Sequence, residues 1–292
     1  MITLHYENKE FALKLAEKIK ELIPNAIIFV GSIFATFAAK EIIEHYDAID
    51  FVIMGHGEIP LKSLYLDLYK NNLSLNDALK NALHICSKHK LAAQACYPDI
   101  NLLALPERTY LKGGSKTVAC IIGSHGCYGK CSFCIFHEPG AKVSERNVSE
   151  IFREIEKIHL ESKISFFYFL DSAIEGFGPK GKERLKQFCL LIINSKYKLS
   201  FRAFVRAESF QNNKSEDIEL LALMKKAGFV NLFVGVESGN DNDLKLYNKL
   251  CTFSKNQNCL ILFEKMNYRI ILGYIILNPY TKYDDLKKTT IF

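Results

Sequence analysis

Ser124-His125-Gly126-Cys127-Tyr128-Gly129-Lys130-Cys131-Ser132-Phe133-Cys134 holds three cysteines separated by three and then two residues. Thiolates are soft donors that suit iron–sulfur clusters or zinc. Four would close an iron–sulfur cube or a structural zinc site. Three leave one metal position open, where a substrate can bind. Gly126 and Gly129 allow the backbone to wrap closely round the metal, since glycine reaches dihedrals barred to other residues. A second reading adds His137 to the three cysteines and makes a zinc knuckle. The remaining cysteines (Cys86, Cys96, Cys120, Cys189, Cys251, Cys259) are dispersed and are read as small buried apolar residues.

Downstream of this loop the chain alternates strand and helix. Apolar runs at Val118–Gly123, Ile164–Leu170, Leu199–Val205, Val230–Val236 and Ile270–Leu277 predict five strands. Between them, helical spacing predicts helices over Asn147–Ile158, Glu183–Asn194, Ile218–Ala227 and Ser254–Met266. Ile151, Ile155 and Ile158 form the buried stripe of the first, with Asn147 or Ser149 as its cap, and Gly228 stops the third. Strand–helix alternation of this length implies a parallel sheet with right-handed crossovers. Sites on such sheets lie at the carboxyl ends of the strands. Asp171, Arg206, Glu237 and Asn278 fall at those ends, as does the cysteine loop.

The stretch from Val118 to Cys134 resembles the cluster-binding loop of radical S-adenosylmethionine (radical SAM) enzymes. Its Gly-Cys-Tyr-Gly-Lys-Cys-Ser-Phe-Cys wording resembles the branch that carries an N-terminal cobalamin-binding-type domain. The resemblance implies a 4Fe-4S cluster on Cys127, Cys131 and Cys134, with S-adenosylmethionine on the fourth iron. It also implies a 5′-deoxyadenosyl radical made by reductive cleavage, a reductant such as flavodoxin or ferredoxin, and a small-molecule or peptide substrate. Phe233–Gly239 (Phe-Val-Gly-Val-Glu-Ser-Gly) resembles the fourth-strand segment in which a Glu-Ser pair, here Glu237 and Ser238, contacts S-adenosylmethionine. Arg206 matches an arginine that pairs with the methionine carboxylate. Asp171 matches an acidic position facing substrate or cofactor. Tyr128 and Phe133 would pack near cluster and adenine. At His125 this branch more often carries arginine.

In the first hundred residues, helices are predicted over Glu7–Leu22, Phe34–His45 and Pro60–Tyr69, with strands over Ala26–Val30 and Asp50–Met54. Phe11, Leu13, Leu15, Ile19 and Leu22 supply the apolar positions of the first helix. Such alternation is a fragment of a doubly wound sheet. Met54-Gly55-His56-Gly57-Glu58 resembles the Gly-Glu-Gly-Glu-like turn that ends the last strand of the cobalamin-binding-type domain, with His56 where glutamate is favoured. Leu105-Pro106-Glu107-Arg108 resembles the linker to the radical barrel.

The expected fold is therefore α/β, a partial parallel radical SAM barrel over 105–292 preceded by a partial doubly wound cobalamin-binding-type domain over 1–104. Measured against the family, the chain is expected to lack the opening strand, the cobalt-ligating Asp-x-His-x-x-Gly loop and the sixth barrel strand, and to end in a short helix over 284–292. Two expectations follow: weak or no cobalamin binding, and marginal stability of the isolated chain from uncovered sheet edges.

Composition allows this reading. The chain has 292 residues, 49% hydrophobic, with a formal net charge of +6 spread over helix faces. Without a dense basic block interleaved with aromatics, nothing argues for a nucleic-acid partner. No stretch approaches the ~18–20 apolar residues of a membrane span. The start shows no basic-then-apolar signal, so a reducing cytoplasm is expected. The competing function class is a non-catalytic remnant whose cysteine loop binds zinc, or iron and sulfur, without turnover.

Overall fold

The computed structural model describes residues 1–92, 94–108, 117–135, 142–284 and 286. The chain divides into two compact units, residues 1–103 and the described residues from 104 onward.

The first unit is a four-stranded sheet with short strands: β1 (Ile2–Thr3), β2 (Phe29–Gly31), β3 (Phe51–Ile53) and β4 (Ile85–Ser87) in that order. β1, β2 and β3 run parallel, and β4 pairs antiparallel with β3. The helices are α1 (Lys9–Leu22), α2 (Ile33–Phe37), α3 (Ala39–His45), α4 (Glu58–Tyr69) and α5 (Leu75–Asn81). Several expectations are corrected here. A strand does precede the first helix, with Ile2 and Thr3 in register with Val30 and Gly31. It is too short for a period-2 signal to show in the sequence. β4 and α5 were not expected either, and the helix expected over Phe34–His45 breaks at Ala38 into α2 and α3. On α1 the buried face is Ala12 and Ala16, flanked by Leu13 and Ile19, whereas Phe11 and Leu22 are each 72% exposed. Alanines let the helix approach the sheet closely, so the large residues that dominate the hydrophobic count are left outside.

The second unit is a five-stranded, all-parallel sheet. Its strands are β5 (Val118–Ile121), β8 (Phe166–Phe169), β9 (Ser200–Arg206), β10 (Phe229–Glu237) and β11 (Arg269–Tyr274) in spatial sequence, with a hairpin of β6 (Ser124–His125) and β7 (Ser144–Glu145) at the mouth. The helices α6 (Val148–Ser162), α7 (Gly178–Ser195), α8 (Ser215–Ala227), α9 (Asp241–Leu246) and α10 (Phe253–Lys265) follow in chain order. All five expected strands form. α9 was not expected, and of the expected terminal helix only residues 284 and 286 lie within the described chain.

The central strands alternate between a helix-facing and an open face. On β9, Phe201, Ala203 and Val205 are buried among the helices, while Arg202 and Phe204 take the other side. The helix-facing layer is phenylalanine-rich: Phe167, Phe169, Phe188, Phe201 and Phe229 pack in stacked, tilted and edge-on pairs, with centroids 5.1 Å apart for the tilted pair Phe201–Phe229. Burying each ring contributes roughly 1.5–3 kcal/mol. α6 buries Ile151, Ile155 and Ile158 as its periodicity predicts, and also Glu154. That carboxylate is tolerated because Arg108 (2.8 Å) and Arg146 (2.6 Å) both donate to it, which fixes the segment at 108 to the start of the barrel. Asn147 occupies the N-cap position of α6 but makes no capping bond with its side chain.

Candidate functional site

The cysteine loop leaves β6 and is held from below by chain that lies far away in sequence. Ser132 donates its backbone N–H to Tyr247 O (2.9 Å) and its hydroxyl to Leu246 O (2.9 Å), and Asn248 donates to Lys130 O (2.8 Å). The turn after α9, invisible to periodicity, is thus the platform of the loop. Gly126 has φ +79°, a left-handed turn that favours glycine. Gly129 serves another purpose than the expected one: a Cβ there would collide with the Arg206 guanidinium.

Cys127, Cys131 and Cys134 form no disulfide and line one cavity of about 270 Å³ at the carboxyl ends of β8, β9 and β10. Phe133, Asp171, Arg206, Glu237 and Lys249 line it too. Among the described residues, no group of three His, Cys, Asp or Glu side chains is placed to hold a single metal ion. A cube is wider than an ion and takes each thiolate on a different iron. Three soft thiolates are a donor set that fits such a cluster, and His137, the fourth donor of the zinc reading, lies outside the described residues.

Arg206, at the end of β9, is 6% exposed. Its Nε donates to Glu208 Oε1 at 2.5 Å, and its guanidinium lies 5.2 Å from the Tyr128 ring centroid. Its Nη1 is 3.8 Å from Cys131 Sγ and 4.0 Å from Cys127 Sγ. Burial pulls its pKa down, but the charges of Glu208, Tyr128 and Cys131 together push it above the ordinary value, so the group stays cationic. The guanidinium thus faces sulfur and Glu208.

Glu237 ends β10 with φ +62°, a left-handed conformation uncommon for a residue with a side chain. It coincides with a register shift against β11 between Gly235 and Glu237. Such strain persists where surrounding structure over-determines it, and it clusters at ligand sites. Here the twist aims the carboxylate into the cavity, 3.2 Å from Lys249 Nζ. Gly235 leaves the space both need, since a Cβ there would sit 2.6 Å from Glu237 Oε1 and 3.1 Å from Lys249 Nζ.

The other expected site residues separate. Phe133 lines the cavity and meets Tyr247 edge-on at 5.5 Å. Asp171 borders the cavity with its carboxylate already engaged: Oδ2 accepts from Gly123 N–H (2.8 Å) and Oδ1 from Ser124 Oγ (2.7 Å). Burial pushes its carboxyl above the usual range against those two bonds. It anchors the chain entering the cysteine loop. Tyr128 points away, its hydroxyl bonded to Glu175 (3.2 Å) and Ser209 (3.1 Å), and burial followed by the Glu175 charge raises its pKa. Ser238 is fully buried, donating to Asp243 and accepting from Asn240 N–H, so it shapes the turn after β10. Asn278 spends its amide on Asp243 and Tyr247.

Three residues escaped the sequence reading. Lys249 carried no motif signal. Glu175 is 1% exposed, accepts from the Arg206 backbone N–H (3.0 Å), has no hydrogen-bond partner for Oε2 among the described residues and is pushed up by burial. Glu208, two residues after Arg206, could have been paired with it from spacing alone.

In the first unit, the turn after β3 is pinned by Gly55 N–H on Thr36 Oγ1 (2.8 Å) and His56 N–H on Cys96 O (2.8 Å). The His56 ring meets Tyr97 edge-on at 5.9 Å, and burial lowers its pKa against the opposing Glu58 charge.

Residues 121–290 match the family model described as the Radical SAM superfamily. The chain belongs to that superfamily. S-adenosylmethionine and a 4Fe-4S cluster are the cofactors of radical SAM proteins, and the match contains the whole cysteine loop. This radical SAM chain is 24% identical over 319 aligned positions to 4'-phospho-dehydrooxetanocin synthase of Priestia megaterium, covering 100% of the chain and 42% of that protein. It is 24% identical over 268 positions to the anaerobic magnesium-protoporphyrin IX monomethyl ester cyclase of Cereibacter sphaeroides, covering 88% and 42% respectively. Among solved structures, the cobalamin-dependent S-adenosylmethionine radical enzyme OxsB, with aqua-cobalamin and S-adenosylmethionine bound, superposes with a TM-score of 0.78 at 21% identity, covering 98% of this chain and 42% of that one. The radical S-adenosylmethionine methyltransferase TsrM of Kitasatospora setae gives 0.74 at 15% identity, covering 95% and 56%. These likenesses show that both parts of the fold are those of the cobalamin-dependent radical SAM branch. The chain spans 42% of the length of the two curated relatives described.

Proposed function

We propose that this chain carries the radical-generating centre of a radical SAM enzyme, which reductively cleaves S-adenosylmethionine and uses the resulting 5′-deoxyadenosyl radical to modify a substrate. The supporting observation is the convergence in one cavity of three cysteines outside any disulfide, the Glu237–Lys249 ion pair and the Arg206 guanidinium. Cys127, Cys131 and Cys134 would hold the cluster. When bound, the cluster supplies the single electron that breaks the sulfonium carbon–sulfur bond.

The chain's own residues bind and shield. Glu237 offers a carboxylate to the amino group or ribose hydroxyls of S-adenosylmethionine, and Lys249 offers a cation to its carboxylate. The pair satisfies itself until a ligand carrying both charges replaces each partner. Phe133 supplies a face for adenine, and Phe204 with Phe233, 5.0 Å apart, form an apolar wall that keeps water from a radical. Ser238, Asp171 and Tyr128 hold the frame in which these groups sit.

For the first unit, the fold likeness extends over 98% of the chain to a protein solved with aqua-cobalamin. That coverage favours cobalamin as a second ligand, and with it methyl transfer, over the weak binding expected from the missing cobalt-ligating loop. Co-elution of hydroxocobalamin on gel filtration tests it, and complete separation of pigment from protein would overturn it. A reductant and a substrate are required partners. A reducing, cytoplasmic setting suits the chain, none of whose nine cysteines is in a disulfide. No helix among the described residues is long and apolar enough to cross a membrane.

The deciding experiment is anaerobic reconstitution with iron and sulfide. A brown protein whose reduced-cluster EPR signal changes on adding S-adenosylmethionine supports the enzyme. Tight zinc uptake with no iron, or a cluster indifferent to S-adenosylmethionine, supports the non-catalytic remnant instead.

A further inference from the structure

The geometry points to Arg206 as the residue that sets the reduction potential of the cluster, with Glu208 as its counterweight. This inference rests on the proposed function, because it presupposes a cluster on Cys127, Cys131 and Cys134.

Two of the three ligand sulfurs face one guanidinium. Nη1 lies 3.8 Å from Cys131 Sγ and 4.0 Å from Cys127 Sγ, and Nη2 lies 4.0 Å from Cys131 Sγ. The group is fixed there from every side. Its Nε and Nη2 share Glu208 Oε1, each at 2.5 Å. The Tyr128 ring lies against it, its backbone N–H is bound by Glu175, and Gly129 has no Cβ where it needs room. The N–H groups nearest the cavity therefore point at sulfur.

Reduction adds negative charge to a cluster. Hydrogen bonds to its sulfurs and a nearby positive charge favour the reduced form and raise the potential. The Arg206 guanidinium does both. Glu208 acts in the opposite sense: its carboxylate is buried in contact with the same guanidinium, and its Oε2 has no hydrogen-bond partner among the described residues. Screening by water is weak for such buried charges, so each side chain shifts the potential in its own direction. An arginine needed only to hold the loop would not need to turn its N–H groups toward two sulfurs. Lys249, across the cavity, remains available as the cation for the methionine carboxylate.

EPR-monitored redox titration of the reconstituted full chain tests this, with iron content measured on each variant. Arg206→Gln is expected to move the potential negative, Arg206→Lys to move it less, and Glu208→Gln to move it positive. Loosening of the loop cannot produce shifts of opposite sign from two adjacent residues. Unchanged potentials, or shifts of the same sign, overturn the inference. So does an Arg206→Gln protein whose potential is unchanged while its affinity for S-adenosylmethionine falls, since Arg206 would then grip the nucleotide. Should Arg206→Gln lose its iron, Glu208→Gln decides alone: a positive shift supports the inference and no shift overturns it. A wild-type chain that takes up no cluster defeats the proposed function and this inference with it. A wild-type chain that responds to S-adenosylmethionine while its variants fail to shift defeats this inference only.

Discussion

Strands of two or three residues build the first unit, and strands of four to nine build the five-stranded sheet of the second. The cores differ in the same way. The first unit divides its buried residues between a cluster round Val30 and Val52 and a smaller one of Ile53, Leu64, Ala78 and Ile85, whereas the second has one continuous cluster. Long strands in a continuous ladder fix the register of every side chain along them, so the carboxyl ends of β9 and β10 deliver Arg206 and Glu237 to one place. In the first unit the turn at Gly55 is held instead by individual backbone bonds to Thr36 and Cys96. The lesson is that a reactive centre sits where the scaffold has most redundancy, which can hold strain such as the φ of Glu237 within a strand.

The largest effect that would break this contrast concerns the thiols. Cys131→Ala should abolish cluster uptake, because two thiolates cannot hold a cube that needs three. Cys86→Ala, which removes a buried thiol of the first unit 3.3 Å from Met54 Sδ, should leave iron content unchanged. Iron analysis and visible absorbance of both reconstituted variants decide it.

Next come the cores. Phe201→Ala, at the centre of the phenylalanine layer, should cost about 3–5 kcal/mol by denaturant unfolding. Ile53→Ala, in the four-residue cluster of the first unit, should cost about 2–3 kcal/mol, near the low end for such changes, since a small cluster has room to collapse. Hydrogen exchange should show the lost protection confined to the mutated unit in each case. A larger cost for Ile53→Ala than for Phe201→Ala would reverse the ranking of the two cores.

Asp171→Asn tests how the loop is anchored. An amide oxygen can accept from Gly123 or Ser124, and its NH₂ then faces the other donor, so a loss of about 1–3 kcal/mol is expected. Equal stability of the Asn variant would mean that the carboxylate is not the anchor.

The smallest effect is in pH dependence, where the two units should carry opposite signs. Burial raises the Glu175 carboxyl above its ordinary 4.5, so the folded state binds more protons there than the unfolded chain. Its contribution to stability is full below that value and is lost as pH rises through the folded pKa. His56 is lowered from 6.5, so the unfolded chain binds more protons, and its contribution is lost as pH falls below 6.5. Glu175→Gln should flatten the decline of stability with rising pH, and His56→Gln the decline with falling pH. Chemical unfolding across the two ranges checks both, and matching slopes in the variants and the wild type would discard the assignment.

How much was legible follows from the length of each signal. The five barrel strands and the Ile151–Ile155–Ile158 stripe extend over enough residues for periodicity to register, and all of them form. β1, with two residues, and α9, with six, are too short to carry a period. On α1 the sequence misled, because size and hydrophobicity favour Phe11 while close approach favours Ala12 and Ala16. In the site, motif resemblance found the three cysteines, Phe133, Arg206 and Glu237 in one cavity. It did not distinguish Ser238, whose hydroxyl is spent on Asp243, from Glu237 beside it. Lys249 was out of reach altogether: it becomes a cavity residue only when the turn after α9 folds under the cysteine loop.

By itself, then, the sequence determined the donors and the architecture. Thiolate spacing and strand–helix period are local quantities, carried by neighbours along the chain. Tertiary structure alone decided what each polar group faces: that Arg206 turns toward sulfur, that Asp171 is taken up by Gly123 and Ser124, and that Lys249 meets Glu237. Those partners are brought together by β-strand register and by packing of α9, and the free energy of a buried charge depends on partners a few ångströms away, however far off they lie in sequence.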